Sequence, residues 1–365
     1  MELGIIGLPN SGKSTLFNAL TEAGISADNY PFCTIEPNVG VVNVEDNRLD
    51  KLCQEYNPED CTPAPIKFVD IAGLVEGASE GEGLGNKFLS HIREVEAIIH
   101  VVRFFEDENV AHVSGSINPI QDIKIIENEL IEADLETLRR RQEKTEKMLK
   151  TGEDKYKEEM IIIEKIESDL EAGIPVRLQN LNDNARRFAD ELFFLTDKPV
   201  LYVANMSEEQ LANTDSLENY QKFKNKADSE EAGLIKISAV FELELIDLEI
   251  DEKEVFLNEL GFEEPGLKKL IHAGYELLNL ITFYTVAGGR EVRATPIPDG
   301  TEIVKAAGKI HSSMEEGFIR AEVVNFKDWD ECGGIAGARE AGKVRIEGKD
   351  YIVEDGDICH FRFKD

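Results

Sequence analysis

Short apolar runs, each followed by a polar or glycine-rich turn, recur along the N-terminal two thirds of the chain. They occupy residues 3–6, 66–69, 97–102, 199–204 and 234–237. Short runs that are mostly apolar are typical of buried strands in a parallel sheet. Because helix-like stretches separate them, the sequence predicts an α/β domain with a mostly parallel sheet and helices on both faces.

Highly charged sequence with a sparse apolar repeat extends from residue 128 to about residue 170. The apolar positions are spaced by three and four residues on both sides of Thr151-Gly152, as in two amphipathic helices joined by a turn. Because the apolar stripe is narrow, the pattern predicts an antiparallel helical arm that projects into solvent. The stripe consists of Ile131, Leu135, Leu138, Tyr156, Met160, Ile163, Ile166 and Leu170.

Residues 281–365 show a third pattern, in which apolar and polar residues alternate. The alternation is clearest over 281–286 and 291–294, and a Pro298-Asp299-Gly300 turn precedes a helix-like stretch and further strand-like runs. A period of two residues predicts strands with one buried face. We therefore expect a small, β-rich α+β domain at the C-terminal end, without catalytic residues.

The chain carries 40 Lys+Arg and 73 Asp+Glu, a formal net charge of −33. This charge excludes a wholly basic surface for non-specific DNA or RNA binding, although it permits a local basic patch, and it favours a monomer. The arm contains such a patch, which fits either contact with ribosomal RNA or a solvated helix face with i,i+4 ion pairs. Its cations are Arg139, Arg140, Arg141, Lys144, Lys147, Lys150, Lys155 and Lys157.

Cysteine usage and the lack of long apolar runs favour a cytoplasmic protein. The cysteines are scattered and form no C-x-x-C pair, so we expect a reduced compartment. We also expect no signal peptide, because the chain opens directly on a short apolar strand. We expect no membrane span, because no run approaches 18 uninterrupted apolar residues. The five cysteines are Cys33, Cys53, Cys61, Cys332 and Cys359.

The first apolar run leads into Gly7-Leu8-Pro9-Asn10-Ser11-Gly12-Lys13-Ser14, which fits the phosphate-binding pattern G-x-x-x-x-G-K-[ST]. Glycines let backbone N–H groups face the phosphates, the lysine reaches the β/γ oxygens, and the serine hydroxyl binds Mg²⁺. The sequence therefore predicts a nucleotide site formed by Asn10, Ser11, Gly12, Lys13, Ser14 and Thr15.

A second motif, D-x-x-G, ends the next apolar run at Asp70 and Gly73. The carboxylate is predicted to hold Mg²⁺ through water, and the glycine N–H to contact a γ-phosphate. Thr34, in the polar stretch between the two motifs, is predicted to complete the metal shell as part of a first switch. The predicted metal residues are thus Ser14, Thr34 and Asp70.

Catalysis is expected to be slow, because Leu74 stands where Ras-like enzymes carry a water-orienting Gln. His112, in a glycine- and serine-containing loop, is a candidate for positioning water, or else an ordinary surface histidine. The resemblance of this loop to those of cation-stimulated P-loop enzymes implies that Asn10 is a candidate for holding K⁺ against the phosphates. The predicted catalytic residues are Lys13, Gly73 and His112.

The fourth apolar run ends in Asn205-Met206-Ser207-Glu208, where guanine-specific enzymes of this class carry N-K-x-D. Loss of the Asp removes the acceptor for guanine N1–H and N2–H₂, and Asn205 with backbone carbonyls suits the adenine 6-amino group. The sequence therefore predicts a preference for ATP over GTP, unless Glu208 reaches guanine. The predicted base-side residues are Asn205, Met206, Glu208, Ser238 and Ala239.

The motifs G-L-P-N-S-G-K-S, N-Y-P-F-C-T-I, D-I-A-G-L-V-E-G-A and N-M-S-E together resemble those of the YchF-type Obg-like ATPases, which are translation-factor-related P-loop NTPases. The resemblance spans essentially the whole chain. It implies a G domain that prefers ATP at 1–127 and 196–280, a coiled-coil insertion at 128–195, and a ubiquitin-like TGS domain at 281–365. It also implies ribosome binding through the arm and the TGS domain, in translation or stress regulation.

Three functions are consistent with these patterns. The first is a cytoplasmic, Mg²⁺-dependent ATPase that acts as a molecular switch on ribosomes, without DNA or membrane partners. The second is a GTPase or a dual ATP/GTP hydrolase of the Obg class. The third is a nucleotide-gated binding protein that regulates a redox or stress partner and hydrolyses nucleotide incidentally.

Overall fold

The structure is a computed structural model that describes residues 1–23, 38–71, 84–107, 117–150, 152–259 and 261–364. It divides into two compact units. The first contains Met1–Gly40 and Lys67–Leu277, and the second contains Val41–Ile66, called here the inserted segment, together with Leu278–Asp365. Among the helices within the described ranges, none is both long and apolar enough to cross a membrane.

Six strands form the sheet that begins the chain: β1 (Glu2–Ile6), β2 (Val39–Val44), β4 (Ala64–Asp70), β5 (Ala97–Arg103), β6 (Val200–Asn205) and β7 (Gly233–Ile237). Their order is β2-β4-β1-β5-β6-β7. β1 pairs in parallel with β4 and β5, and β5, β6 and β7 follow in parallel. Every residue of β5 and β6 is buried, as in strands covered on both faces.

Helices pack against this sheet and confirm the predicted α/β fold. Apolar side chains of α3, α8 and the first part of α4 share one core with β5 and β6. The helices are α1 (Lys13–Ala23), α3 (Leu84–Glu94), α4 (Pro119–Leu149), α7 (Glu208–Ala212), α8 (Glu218–Ser229), α9 (Ala239–Ile246), α10 (Ile250–Glu259) and α11 (Gly266–Leu277).

The arm consists of the rest of α4 with α5 (Asp154–Glu171) and α6 (Asp183–Leu192). α4 starts at Pro119 because the Asn118 side chain caps it, accepting from the Gln121 N–H at 3.3 Å. Its first turns belong to the sheet core, and its later turns share a separate core with α5 and α6. The predicted boundary at residue 128 therefore lies inside a continuous helix.

The second unit is a mixed sheet with the order β11-β10-β12-β8-β9-β3. β8 and β9 are antiparallel, as are β10 and β12, whereas β12 with β8 and β3 with β9 are parallel. This agrees with the α+β character expected for residues 281–365. Its elements are β3 (Asp60–Thr62), β8 (Leu280–Ala287), β9 (Glu291–Pro298), β10 (Phe318–Asn325), β11 (Arg345–Glu347), β12 (Asp357–Phe363), α2 (Asn47–Tyr56), α12 (Ile303–Ile310), α13 (Ser312–Glu316), α14 (Phe326–Glu331) and α15 (Ile335–Glu340).

The inserted segment packs with the C-terminal residues, although the sequence-based boundaries placed it within 1–127. Arg48 on α2 donates to the Asp355 carboxylate at 2.6 Å. The Trp329 indole N–H donates to the Tyr56 hydroxyl at 3.1 Å. The inserted segment and the C-terminal residues are far apart in the chain, so no local sequence pattern reveals that they pack together. The domain boundaries given in the sequence analysis stay a prediction.

Cys53 and Cys61 form a disulfide within the inserted segment, with their Cα atoms 6.1 Å apart. α2 ends at Tyr56, and Asn57 has a left-handed backbone (φ 42°) that turns the chain back into β3. This reversal brings the two sulfurs together, which their spacing in the sequence does not reveal. The expectation of reduced cysteines is therefore wrong for this pair, whereas Cys332 and Cys359 are free.

Replacing both Cys53 and Cys61 with serine is expected to lower the free energy of unfolding by about 2–3 kcal/mol, because a short closed loop is no longer constrained in the unfolded chain. Urea titration under non-oxidising conditions, with and without a thiol reductant, measures this. Cys332→Ser is the control and should respond to reductant as the wild type does. Equal midpoints for the double variant and the oxidised wild type would contradict the expectation.

Candidate functional site

The loop between β1 and α1 carries the predicted phosphate-binding motif. α1 begins at Lys13, so its first N–H groups face the loop. Asn10 (φ 63°) and Gly12 (φ 90°) have left-handed backbones that turn the loop back on itself. The Ser11 N–H donates to the Leu8 carbonyl at 3.2 Å. The loop therefore forms the concave backbone that suits an anion.

Asn205, at the end of β6, holds this loop from the opposite side. Its Nδ2 donates to the Ser11 carbonyl at 2.9 Å, and its Oδ1 accepts from the Ala239 N–H at 3.0 Å. A Cβ at Gly12 would lie 2.0 Å from Asn205 Nδ2, so only glycine permits this approach. Asn205 thus connects the phosphate loop with the loop after β7, a structural role that the sequence did not predict.

Lys13 is nearly buried, with 8% of its surface exposed. Burial lowers the pKa of the Lys13 ammonium, and the negative charge of Asp70 acts in the opposite direction. An ammonium group that has lost most of its hydration gains strongly from a phosphate oxygen placed beside it. Lys13 is therefore prepared for an anionic ligand.

Ser14 and Asp70 meet at the predicted metal position. The Ser14 hydroxyl donates to Asp70 Oδ2 at 3.2 Å. Asp70 Oδ1 is buried and has no hydrogen-bond partner among the residues that the structure describes. A buried carboxylate oxygen left in this way suits a cation or one of its water ligands, and oxygen donors are what Mg²⁺ prefers. The two residues therefore fit a Mg²⁺ site.

The other predicted base-side residues lie on the loops that follow β6 and β7. Met206 is buried, and its N–H donates to the Ile237 carbonyl at 2.8 Å. Ser238 caps α9, and Ala239 is the first residue of that helix. Glu208 is exposed at the start of α7.

Arg103, the last residue of β5, and Phe105, just beyond it, form a pair near this site that the sequence analysis missed. The Arg103 guanidinium lies 4.5 Å from the centre of the Phe105 ring, and its Nε donates to the Phe105 carbonyl at 3.1 Å. Phe105 Cε1 would lie 3.9 Å from a Cβ at Gly12. The signal that was available is their position at the carboxyl end of a buried parallel strand, where α/β sheets bind ligands.

Several predicted site residues lie outside the described ranges, namely Thr34, Gly73, Leu74 and His112. Thr15 lies in the first turn of α1 and is half-buried. The structure thus brings together the phosphate loop, the Ser14–Asp70 pair and the Asn205 loop at one edge of the sheet. Such an arrangement of N–H donors, one cation and carboxylate oxygen suits a polyphosphate with a divalent metal ion.

Two family profiles match the chain. One, described as a 50S ribosome-binding GTPase, matches residues 2–165. The other, the C-terminal YchF-GTPase profile described as a protein of unknown function, matches residues 280–364. The two matches fall on the phosphate-binding part of the chain and on its C-terminal sheet.

Several relatives match this chain over almost its full length. The ribosome-binding ATPase YchF of Bacillus subtilis (strain 168) is 51% identical over 360 residues, covering 99% of this chain and 98% of that protein. The protein of the same name from Escherichia coli O157:H7 is 49% identical with the same coverage. The solved structure of the Schizosaccharomyces pombe YchF GTPase is 38% identical, with a TM-score of 0.89 and coverage of 99% and 97%.

Proposed function

The chain belongs to the YchF family, and from this premise we propose that it binds ATP with Mg²⁺, hydrolyses it, and uses the nucleotide state to control binding to the ribosome. The observation that carries the proposal is the meeting of Lys13, Ser14 and Asp70 beside the phosphate loop. Such a protein works where ribosomes are, so we expect it in the cytoplasm, as a monomer.

In the proposed reaction, Lys13 and the first N–H groups of α1 bind the phosphate oxygens. Ser14 and Asp70 would hold Mg²⁺, and the contact between the two side chains supports a shared site. When bound, Mg²⁺ neutralises the charge that develops on the phosphates. Two contacts stay predictions from the sequence: that of Gly73 with the γ-phosphate and that of Thr34 with the metal.

The group that positions the attacking water also stays a prediction. His112 is the candidate side chain, because Leu74 offers no hydrogen-bonding group at the usual position. K⁺ held by Asn10 is the other candidate. Either route lacks the preset Gln of Ras-like enzymes, so we expect slow intrinsic turnover.

We propose ATP as the preferred nucleotide, because the N-M-S-E motif carries glutamate where guanine-specific enzymes carry the aspartate that pairs with guanine. Glu208 takes the fourth place of the N-M-S-E motif and is exposed at the first turn of α7. That helix start is fixed by a capping box, in which the Gln210 N–H donates to the Ser207 hydroxyl at 3.3 Å. The profile described as a GTPase favours the second candidate, a GTPase or a dual hydrolase.

Calorimetric titration with Mg²⁺ is expected to show ATP binding about tenfold or more tightly than GTP, a difference of about 1.4 kcal/mol. Glu208→Gln should leave this ratio unchanged, as should the adjacent control Glu209→Gln, since neither carboxylate recognises adenine. Equal affinities would instead indicate a dual hydrolase. A preference for GTP that Glu208→Gln abolishes would mean that Glu208 recognises guanine.

The arm offers a surface for the ribosome. Arg140, Lys144 and Lys147 follow each other at helical steps of four and three residues on α4, and all three are exposed. The strongly negative chain repels RNA elsewhere, so contact with ribosomal RNA concentrates on such a stripe. We propose that the arm, together with the C-terminal unit as a TGS domain, binds the ribosome or one of its subunits.

Replacing both Lys144 and Lys147 with glutamate is expected to weaken ribosome binding by about tenfold or more at moderate salt, because each cation neutralises about one phosphate. Pelleting of purified ribosomes with the protein at several salt concentrations measures affinity and salt slope. The matched control is Lys222→Glu with Lys224→Glu on α8, where binding should persist. An unchanged salt slope in the arm variant would exclude the stripe as the RNA contact.

A further inference from the structure

Residues 195–198, called here the connector turn, join the arm to β6. A 3-10 turn spans Leu195–Asp197, and Lys198 follows it. Leu195 and Thr196 are each only 1% exposed. Connections usually run over the surface, because buried backbone groups need partners. The hydrogen-bond partners of this turn therefore identify the elements that it connects.

Asp134, on α4, binds the backbone of the connector turn. Its carboxylate accepts from the Leu195 N–H and the Thr196 N–H, each at 2.8 Å, and from the Thr196 hydroxyl at 2.7 Å. The carboxylate is 1% exposed, and three donors make up for its lost hydration. Both oxygens are used, so the orientation of the turn is fixed relative to α4.

Lys198 binds the connector turn to α3. Its Nζ donates to the carbonyl of Arg93 at 3.3 Å and to the carbonyl of Val95. Carbonyl groups at the end of a helix have no partner within the helix, and a cation there also favours the helix dipole. α3 is the helix that follows the D-x-x-G segment along the chain. Lys198 therefore links the turn with the helix that follows the D-x-x-G motif, whose glycine is predicted to contact a γ-phosphate.

The remaining parts of the arm converge on the same turn. The Val176 N–H, beyond α5, donates to the hydroxyl of the turn's threonine at 3.1 Å. Arg186 of α6 forms an ion pair with the turn's aspartate. Arg177 binds Glu127 of α4 at 2.7 Å, with both side chains only 13% exposed, so the two ends of the arm are tied together. The root of the arm and the end of α3 thus share one connection, which is buried at Leu195 and Thr196 and half-buried at Lys198.

We propose that the connector turn transmits nucleotide-dependent movement of α3 to the arm, with Asp134 and Lys198 as its positioning residues. The inference rests on the nucleotide switch proposed above and specifies the route by which that switch reaches the arm. Tightly packed elements shift as units between discrete arrangements, so hydrogen bonds at both ends of a short buried turn couple the elements that it joins. Within the described ranges, the hydrogen bonds of both residues go to the connector turn and to the end of α3, so we expect basal hydrolysis to persist without them.

The test is hydrogen exchange of arm peptides in the full chain, saturated either with Mg-ADP or with a non-hydrolysable Mg-ATP analogue. The variants are Lys198→Met and Asp134→Asn, with Lys198→Arg as the conservative replacement that keeps the donors. Thr145→Val is the control, because that buried threonine bonds within the arm, to the Arg141 carbonyl at 3.1 Å. Basal ATP turnover and thermal unfolding are measured on the same samples.

In the wild type, arm exchange should differ between the two nucleotides by about fivefold or more, the usual lower range of coupling between sites. Lys198→Met and Asp134→Asn should abolish that difference while basal turnover persists, and Lys198→Arg and Thr145→Val should retain it. A residue that merely stabilises the fold would change exchange equally in both nucleotide states and leave the ratio intact.

If the ratio of arm exchange between the two nucleotide states were unchanged in Lys198→Met, the proposal would be overturned. Because Lys198 is only half-buried, this variant should fold even if Asp134→Asn does not. A wild type that hydrolyses ATP with identical arm exchange in both states would also overturn it, yet would leave the ATPase function standing. A wild type that neither binds nor hydrolyses ATP would remove the proposed function, and the coupling with it.

Discussion

Replacing Lys13 with alanine is expected to lower kcat for ATP hydrolysis by about 10²–10³-fold, the usual cost of losing one preorganised electrostatic contact to a transition state. The reason lies in its surroundings. Lys13 is 8% exposed at the start of α1, where burial lowers its pKa. Because the site has already removed much of its hydration, its attraction to phosphate oxygens is weakly screened. Water entering the alanine cavity would not replace that charge.

Steady-state ATP turnover, together with a separate binding titration, measures this effect. Lys67→Ala is the matched control, because Lys67 lies on the same strand as Asp70 but pairs with Glu2, at the start of β1, at 3.3 Å. Its removal should leave turnover near the wild-type rate. Wild-type turnover in Lys13→Ala would show that hydrolysis occurs elsewhere or through an impurity, and would overturn the assignment of this loop.

Asn205→Ala is expected to lower the affinities for ATP and GTP together, by about tenfold or more, and to reduce the free energy of unfolding by about 2 kcal/mol. The substitution leaves the Ser11 carbonyl and the Ala239 N–H without the partners that they have in the structure. Loss of this connection lets the phosphate loop and the base-side loop move apart. Both nucleotides bind to the same loops, so the affinity for each should fall.

Titration of the variant with each nucleotide decides between this structural role and the base recognition predicted from the sequence. A parallel loss supports the structural role, and a selective loss of ATP supports recognition of adenine. Asn213→Ala is the control, since its Nδ2 bonds only locally, to the Glu209 carbonyl at 3.1 Å. Unchanged affinity for both nucleotides in Asn205→Ala would contradict either role.

Much of the nucleotide-binding fold was predictable because its signals are local. The strand, loop and helix around Lys13 follow from an apolar run, a glycine-rich turn and a helix-like run that are contiguous in the chain. The turn between the two arm helices was predicted at residues 151–152, and α4 ends at Leu149. The start of α4 was missed, since its first turns contact the sheet and lack the sparse pattern of the arm.

The partners within the site were less predictable. The Asn205 side chain bonds to a residue 194 positions away, and the Asp134 carboxylate to backbone groups 61 and 62 positions away. The sequence pattern does not reveal either pairing. A polar residue at the end of a strand or on a helix looks alike in the sequence whether or not it binds a distant segment. The placement of Phe105 beside Gly12 depends likewise on how β5 aligns with β1.

The sequence by itself determined the α/β architecture, the phosphate loop, the amphipathic arm and the family resemblance, because spacing and residue type along a few turns suffice for each. Only the tertiary structure decided that the inserted segment joins the C-terminal sheet, that Cys53 meets Cys61, and that a buried turn connects α3 with the arm. These features depend on contacts that form when distant segments share a core. The hydrogen bonds among them are strengthened where water is excluded, and the disulfide constrains the unfolded chain; no single stretch of the chain expresses either effect.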